Sequence, residues 1–192
     1  MDTLFVIRHA VVSDAHDIHA VLQDAFKEYA KIAGITELDA LKETISDIER
    51  EIINKTVYVA IIDGIIIGTI RVEITGDEAY ISRFAVKSSH RKMGVGESLM
   101  NLVDMYLKAK GIKKAFLFTA FNNTNLVRFY HNRGFYIESV STERGYPRAK
   151  MVKDYSDTDL KLQPLVNIKQ TRSIANKVVP LKIKMFLRNR IK

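Results

Sequence analysis

The chain of 192 residues contains no cysteine. Structural disulfides, a thiolate nucleophile and cysteine-ligated zinc are therefore excluded, and the composition suits a reducing compartment. Long apolar runs are missing as well. Leu4-Phe-Val-Ile7 stops at Arg8, too short for a signal peptide, and no later run approaches the ~20 residues of a membrane span. A cytoplasmic protein is the expectation. Acids are missing from one region only. Residues 160–192 hold nine bases (Lys161, Lys169, Arg172, Lys177, Lys182, Lys184, Arg188, Arg190 and Lys192) and no Asp or Glu. The other 159 residues carry 21 bases against 22 acids, so the formal +8 of the chain belongs to its tail. A nucleic-acid reading drawn from overall charge does not extend to the rest.

What is present centres on Tyr80-Ile-Ser-Arg-Phe-Ala-Val86, which runs into Arg91-Lys-Met-Gly-Val-Gly96 and then Glu97-Ser-Leu-Met-Asn-Leu-Val103. A β-prone run stops at a polar turn, and two glycines open a helical segment. Free N–H groups and the helix dipole at such a start favour an anion, and glycine lets it approach. A P-loop needs lysine after its last glycine, and Glu97 follows Gly96. A dinucleotide fingerprint needs a third glycine where Leu99 stands. The remaining pattern, Arg91-x-x-Gly94-x-Gly96, resembles the acetyl-CoA pyrophosphate loop of the GNAT family of N-acetyltransferases. By itself it fits an ordinary strand-to-helix turn equally well.

A second motif separates the two. The β-like Ala115-Phe-Leu-Phe-Thr-Ala120 is followed by Asn122-Asn-Thr-Asn-Leu-Val-Arg-Phe-Tyr-His-Asn-Arg-Gly-Phe135. Asn123, Phe129, Tyr130, Gly134 and Phe135 match the GNAT pattern on the helix after its splayed strand; Leu126 replaces the usual alanine. The resemblance spans roughly Leu4 to Tyr155. It implies a mixed α/β fold, the GNAT acyl-CoA N-acyltransferase fold, with a mostly antiparallel central sheet, splayed strands and flanking helices.

Periodicity agrees. Leu4 to Arg8 reads as a strand, and Ser13 or Asp14 as the cap of a helix with Ile18, Val21, Leu22, Ala25 and Phe26 on one side. Gly34 ends that region. A second helix is predicted over about Leu38 to Ile53, with an apolar stripe of Leu41, Ile45, Ile48 and Ile52. Thr56–Ile62 and Ile65–Glu73 form a hairpin through Asp63-Gly64. Lys110-Gly111 closes the long helix, and strands return at Phe135–Val140 and Arg148–Val152. The expected organisation is a catalytic domain over residues 1–156 and a basic appendage over 157–192. That appendage would pack Val178, Val179, Ile183 and Phe186 on a neighbouring surface, touch an anionic membrane or nucleic acid, or cover the cleft or a dimer partner.

The family resemblance implies acetyl-CoA as co-substrate. The backbone of Phe84, Ala85 and Val86 would pair with its pantetheine arm. Arg91 and the main-chain amides of Lys92, Met93, Gly94, Val95, Gly96 and Glu97 would hold its pyrophosphate. Asn123 would bond the cofactor arm, and Tyr130 would protonate the departing thiolate. Neither glutamate used as a base by family branches is present, since Tyr80 and Phe118 stand at those positions. Glu73, Glu78 and His131 remain as substitutes, beside a water path or an already neutral amine. His16 and His19 sit i, i+3 but lack a third ligand at a useful spacing, so no metal is assigned. Two functions follow. One is N-acetyl transfer to a primary amine of a small molecule or protein, by a monomer or homodimer; the other is a non-catalytic acyl-CoA-binding module whose tail finds an anionic partner.

Overall fold

A seven-stranded sheet in the order β1-β2-β3-β4-β5-β7-β6 organises residues 5–155, the residues described by this computed structural model. The strands are β1 (Val6–His9), β2 (Thr56–Ile62), β3 (Ile65–Thr75), β4 (Glu78–Val86), β5 (Lys114–Ala120), β6 (Tyr136–Ser141) and β7 (Arg148–Asp154). Only β4 and β5 run parallel; the other neighbours are antiparallel. The helices are α1 (Ala15–Ala33), α2 (Asp39–Lys42), α3 (Ile45–Asn54), α4 (Val95–Ala109) and α5 (Thr124–His131). The mixed, mostly antiparallel sheet with flanking helices is the architecture expected from the sequence.

The β2–β3 turn has φ +49 at Asp63 and +81 at Gly64, as a two-residue hairpin of matching twist requires. The helices cover both faces of the sheet. Ile18, Val21 and Leu22 of α1 pack with Ile48 of α3 against Val57, Val59 and Ile66. Leu99, Met100, Val103 and Leu107 of α4 pack with Ile67, Ile70 and Ile81. Helix α4 comes closest to the sheet over Gly68. A Cβ there would stand 3.2 Å from the Ala85 carbonyl oxygen, from Val95 Cγ1 and from Leu99 Cδ1. Gly68→Ala is therefore expected to destabilise by about 1–3 kcal/mol, read as a lower urea midpoint; an unchanged midpoint would show that the helix shifts freely.

Two local expectations are corrected. The helix predicted over Leu38–Ile53 is broken at Glu43 and Thr44. Thr44 caps α3: its hydroxyl accepts from the Asp47 amide at 3.2 Å, while the Asp47 carboxylate accepts from the Thr44 amide at 2.8 Å. That reciprocal pair outweighs continuous helix and leaves Glu43 extended, facing the sheet's cleft side. Asp14 stands at the start of α1 but does not cap it through its side chain. Its carboxylate instead accepts from Arg8 at 2.6 and 2.9 Å and from the Val11 amide at 2.8 Å. Among the described residues no helix is long and apolar enough to cross a membrane. The appendage expected over residues 157–192 lies outside the described residues.

Candidate active site

Strands β4 and β5 pair only through Glu78↔Lys114, Ala79↔Ala115 and Tyr80↔Phe116, and then separate. The cause is in β4. Thr69 faces Ala85 and Arg71 faces Ser82, so Arg83 and Phe84 together oppose Ile70 alone. This bulge, with Arg83 at φ +50, bends the strand and leaves its β5-side edge open beyond Tyr80. A cleft of about 890 Å³ fills the separation.

One end of the cleft is the turn before α4. Lys92 and Gly94 adopt φ +65 and +77, and α4 begins without a side-chain cap. Among the described residues the amides from Lys92 to Glu97 have no hydrogen-bond partner. Free donors at the positive end of a helix of 15 residues make an anion cradle. Helix α1 braces it: Asp24 accepts from the Ser88 amide at 2.7 Å, and Glu28 from the Arg91 guanidinium at 2.6 Å.

Most of the expected ligand-binding residues meet here. Phe84, Ala85, Val86, Arg91, Lys92, Gly96, Glu97 and Asn123 line the cleft, as does Tyr130. Met93, Gly94 and Val95 do not. The Met93 side chain is exposed, and Val95 is buried in the core, so these two can offer only their amides. The protein itself also constrains both glycines of this turn. A Cβ on Gly94 would meet nothing within 4 Å, and its need is the positive φ. A Cβ on Gly96 would meet the Phe84 ring at 3.1 Å.

Asn123 is the N-cap of α5, its side-chain oxygen accepting from the Leu126 amide at 3.3 Å, so its amide NH₂ is what remains for a ligand. Tyr130 is 6% exposed and packs against Phe84, Phe129 and Phe135 at ring distances of 6.2, 5.4 and 6.0 Å. Its hydroxyl has no hydrogen-bond partner among the described residues. Burial, reinforced by Tyr29, pushes that phenol well above its ordinary pKa against a smaller opposing pull from Arg133.

The other end of the cleft is lined by residues that the sequence had not singled out. Glu43 accepts from Arg71 at 2.8 and 3.2 Å and from Arg83 at 3.0 Å. Arg71 is only 4% exposed and also meets Glu51, which pairs with Lys55. Tyr29 of α1 accepts from the Ala120 amide at 2.6 Å, tying that helix to the free end of β5. Arg148 lies 4.0 Å over the Phe118 ring, and Arg144 pairs with Asp39.

The profile of the Acetyltransferase (GNAT) family matches residues 18–135, which include the bulged strand, the anion cradle and Tyr130. The chain belongs to the GNAT family. Solved structures share this GNAT fold. A PaiA N-acetyltransferase from Thermoplasma acidophilum, in complex with coenzyme A, is 22% identical with a TM-score of 0.70, covering 79% of this chain and 99% of its own. Ard1 from Thermoplasma volcanium is 25% identical with a TM-score of 0.60, covering 78% and 97%. The ribosomal-protein-S18-alanine N-acetyltransferase of Escherichia coli is 15% identical with a TM-score of 0.60, covering 79% and 94%. No curated protein matches the sequence.

None of the three substitute bases lines this GNAT cleft. Glu73 pairs with Lys55 at 2.8 Å, Glu78 begins β4 at the paired end of the strands, and His131 is exposed at the end of α5. The carboxylates that do line it are all ion-paired: Glu28 with Arg91, Asp39 with Arg144, Glu43 and Glu51 with Arg71, and Glu97 with Arg133 at 3.9 Å.

Proposed function

We propose that this GNAT protein transfers an acetyl group from acetyl-CoA to a primary amine, with Tyr130 as general acid. The observation that carries the reading is the open edge of β4 joined, in one cleft, to the unpartnered amides of Lys92–Glu97 and to the Tyr130 hydroxyl. These residues fit the cofactor: an extended amide-bearing arm suits a free strand edge, and a pyrophosphate suits the cradle.

Acetyl-CoA supplies the activated acyl carbon. The backbone of Phe84, Ala85 and Val86 would align the arm, Arg91 and the loop amides would neutralise the pyrophosphate, and the Asn123 amide would orient the thioester end. The amine nitrogen bonds to the acyl carbon and the carbon–sulfur bond breaks. Tyr130 gives its proton to sulfur and regains one released from the amine nitrogen through water, so the products are an amide and a free thiol. Burial raises the phenol, so Tyr130 stays protonated and able to donate at neutral pH. The described carboxylates of the lining are all held in ion pairs, and on this reading the amine sheds its proton to water.

Acetyl-CoA is expected to raise the melting temperature, because a ligand at 100 times its Kd stabilises by about 2.7 kcal/mol. Free CoA should act likewise and ATP should not. No shift with millimolar acetyl-CoA would contradict the cofactor assignment.

A further inference from the structure

The half of the cleft facing away from the anion cradle holds an excess of positive charge. Lys55, Arg71, Arg83, Arg144 and Arg148 line it against Asp39, Glu43 and Glu51, and Lys55 is also answered by Glu73 from outside the lining. The three carboxylates are committed: Glu43 to Arg71 and Arg83, Glu51 to Lys55 and Arg71, and Asp39 to Arg144. Among the described residues Arg148 has no acid.

Arg148 is nevertheless held in place. It opens β7 opposite Ala120, and one face of its guanidinium is covered by the Phe118 ring at 4.0 Å. Stacking of this kind leaves the in-plane N–H groups for a carboxylate, in the fork geometry that lysine lacks. Tyr29 and Tyr146 stand close by on the lining. Burial raises the Tyr29 hydroxyl, Tyr146 pushes the same way, and Arg148 is near enough to pull it back. Tyr29 accepts from the Ala120 amide and also interacts with the Thr119 hydroxyl, so both fix its ring on the lining beside Arg148.

We propose that the acceptor is an amine that also carries a carboxylate, which Arg148 receives beside Tyr29 while the amine reaches the separation of β4 and β5. The inference rests on the acetyl-transfer reading and names its substrate class. It runs against a polycationic acceptor, whose extra ammonium groups would meet surplus arginine. It also accounts for the missing base, because cations near an ammonium lower its pKa and enlarge the neutral, nucleophilic fraction.

The test compares amino acids with their decarboxylated counterparts: phenylalanine with phenethylamine, lysine with cadaverine, and serine with ethanolamine. Thiol release at saturating acetyl-CoA reads the rate, and the cysteine-free chain adds no background. The carboxylated member should lead by about tenfold or more in kcat/KM, acting through KM. Arg148→Met should abolish the preference and Arg148→Lys keep part of it, with both variants still stabilised by acetyl-CoA. Equal rates within pairs, preference for cadaverine over lysine, a preference that survives in Arg148→Met, or no turnover of any amino acid by protein that binds acetyl-CoA would each overturn the proposal. Absence of stabilisation by acetyl-CoA would instead overturn the reading beneath it.

Discussion

Replacing Tyr130 by phenylalanine is expected to lower kcat by about 10²–10⁴, the range that a positioned acid contributes, while leaving the thermal shift with acetyl-CoA intact. The two readouts separate because the ring and the hydroxyl do different things. The ring fills a buried site among Phe84, Phe129 and Phe135, and phenylalanine retains that packing. The hydroxyl bonds no protein group among the described residues, so its loss leaves no partner stranded. The phenol is raised above its ordinary pKa of about 10, so in the wild-type protein it stays protonated across neutral pH and adds no descending limb to kcat below that value. A fall of less than tenfold would remove Tyr130 from the chemistry. Stabilisation by acetyl-CoA with no turnover of any amine by the wild-type protein is the result that would favour the acyl-CoA-binding module over the enzyme.

The anion-cradle end of the cleft was legible in the sequence because backbone conformation dictates it. Gly94 stands at φ +77 in the turn before α4; away from the cleft, Gly134 at φ +83 and the Asp63-Gly64 hairpin turn were legible for the same reason. Such demands fall on single residues at fixed spacing. The arginine-rich end was not legible, because its groups come from distant segments. Glu43 meets an arginine 28 residues away and another 40 away, and Tyr29 bonds an amide 91 residues along the chain. One signal was available. Arg71 interrupts an otherwise buried apolar strand, and a charge in that place requires a partner. Nothing local says which carboxylate answers. A second signal, Thr44-x-x-Asp47, marked a helix start inside the predicted helix, and only that break brings Glu43 to the arginines. That Glu73 and Glu78 stand outside the cleft lining was illegible for a related reason: their strand positions are clear, but where β4 and β5 part is not.

Glu43→Gln is expected to destabilise by about 1–3 kcal/mol, because it leaves Glu51 as the one remaining counter-ion to Arg71 among the described residues and none to Arg83. The Glu43 carboxylate faces two guanidiniums, and its removal uncovers Arg71, whose Nε is already buried without a hydrogen bond. Glutamine can still accept from one arginine but cannot offset either charge. Exposed pairs nearby set the scale: Lys42 with Glu37 is solvent-facing and worth little. Burial works to raise the Glu43 pKa, but hydrogen bonds and charge from Arg71 and Arg83 outweigh it and hold the carboxyl below its usual range. A folded pKa below the unfolded value of about 4.3 means that the contribution is complete above that pH and is lost as pH falls through the folded value. Wild-type stability should therefore drop on acidification below about pH 4 more steeply than that of the variant, whose glutamine does not titrate. Urea unfolding of both proteins from pH 7 to pH 3 checks this. Convergence of the two midpoints at low pH is the expected result, and a constant gap would show that packing, not charge, makes Glu43 necessary. If the loss proves electrostatic, the two arginines that shape the acceptor end are positioned by that one carboxylate, and the cleft's excess of positive charge is a fixed property of the folded chain.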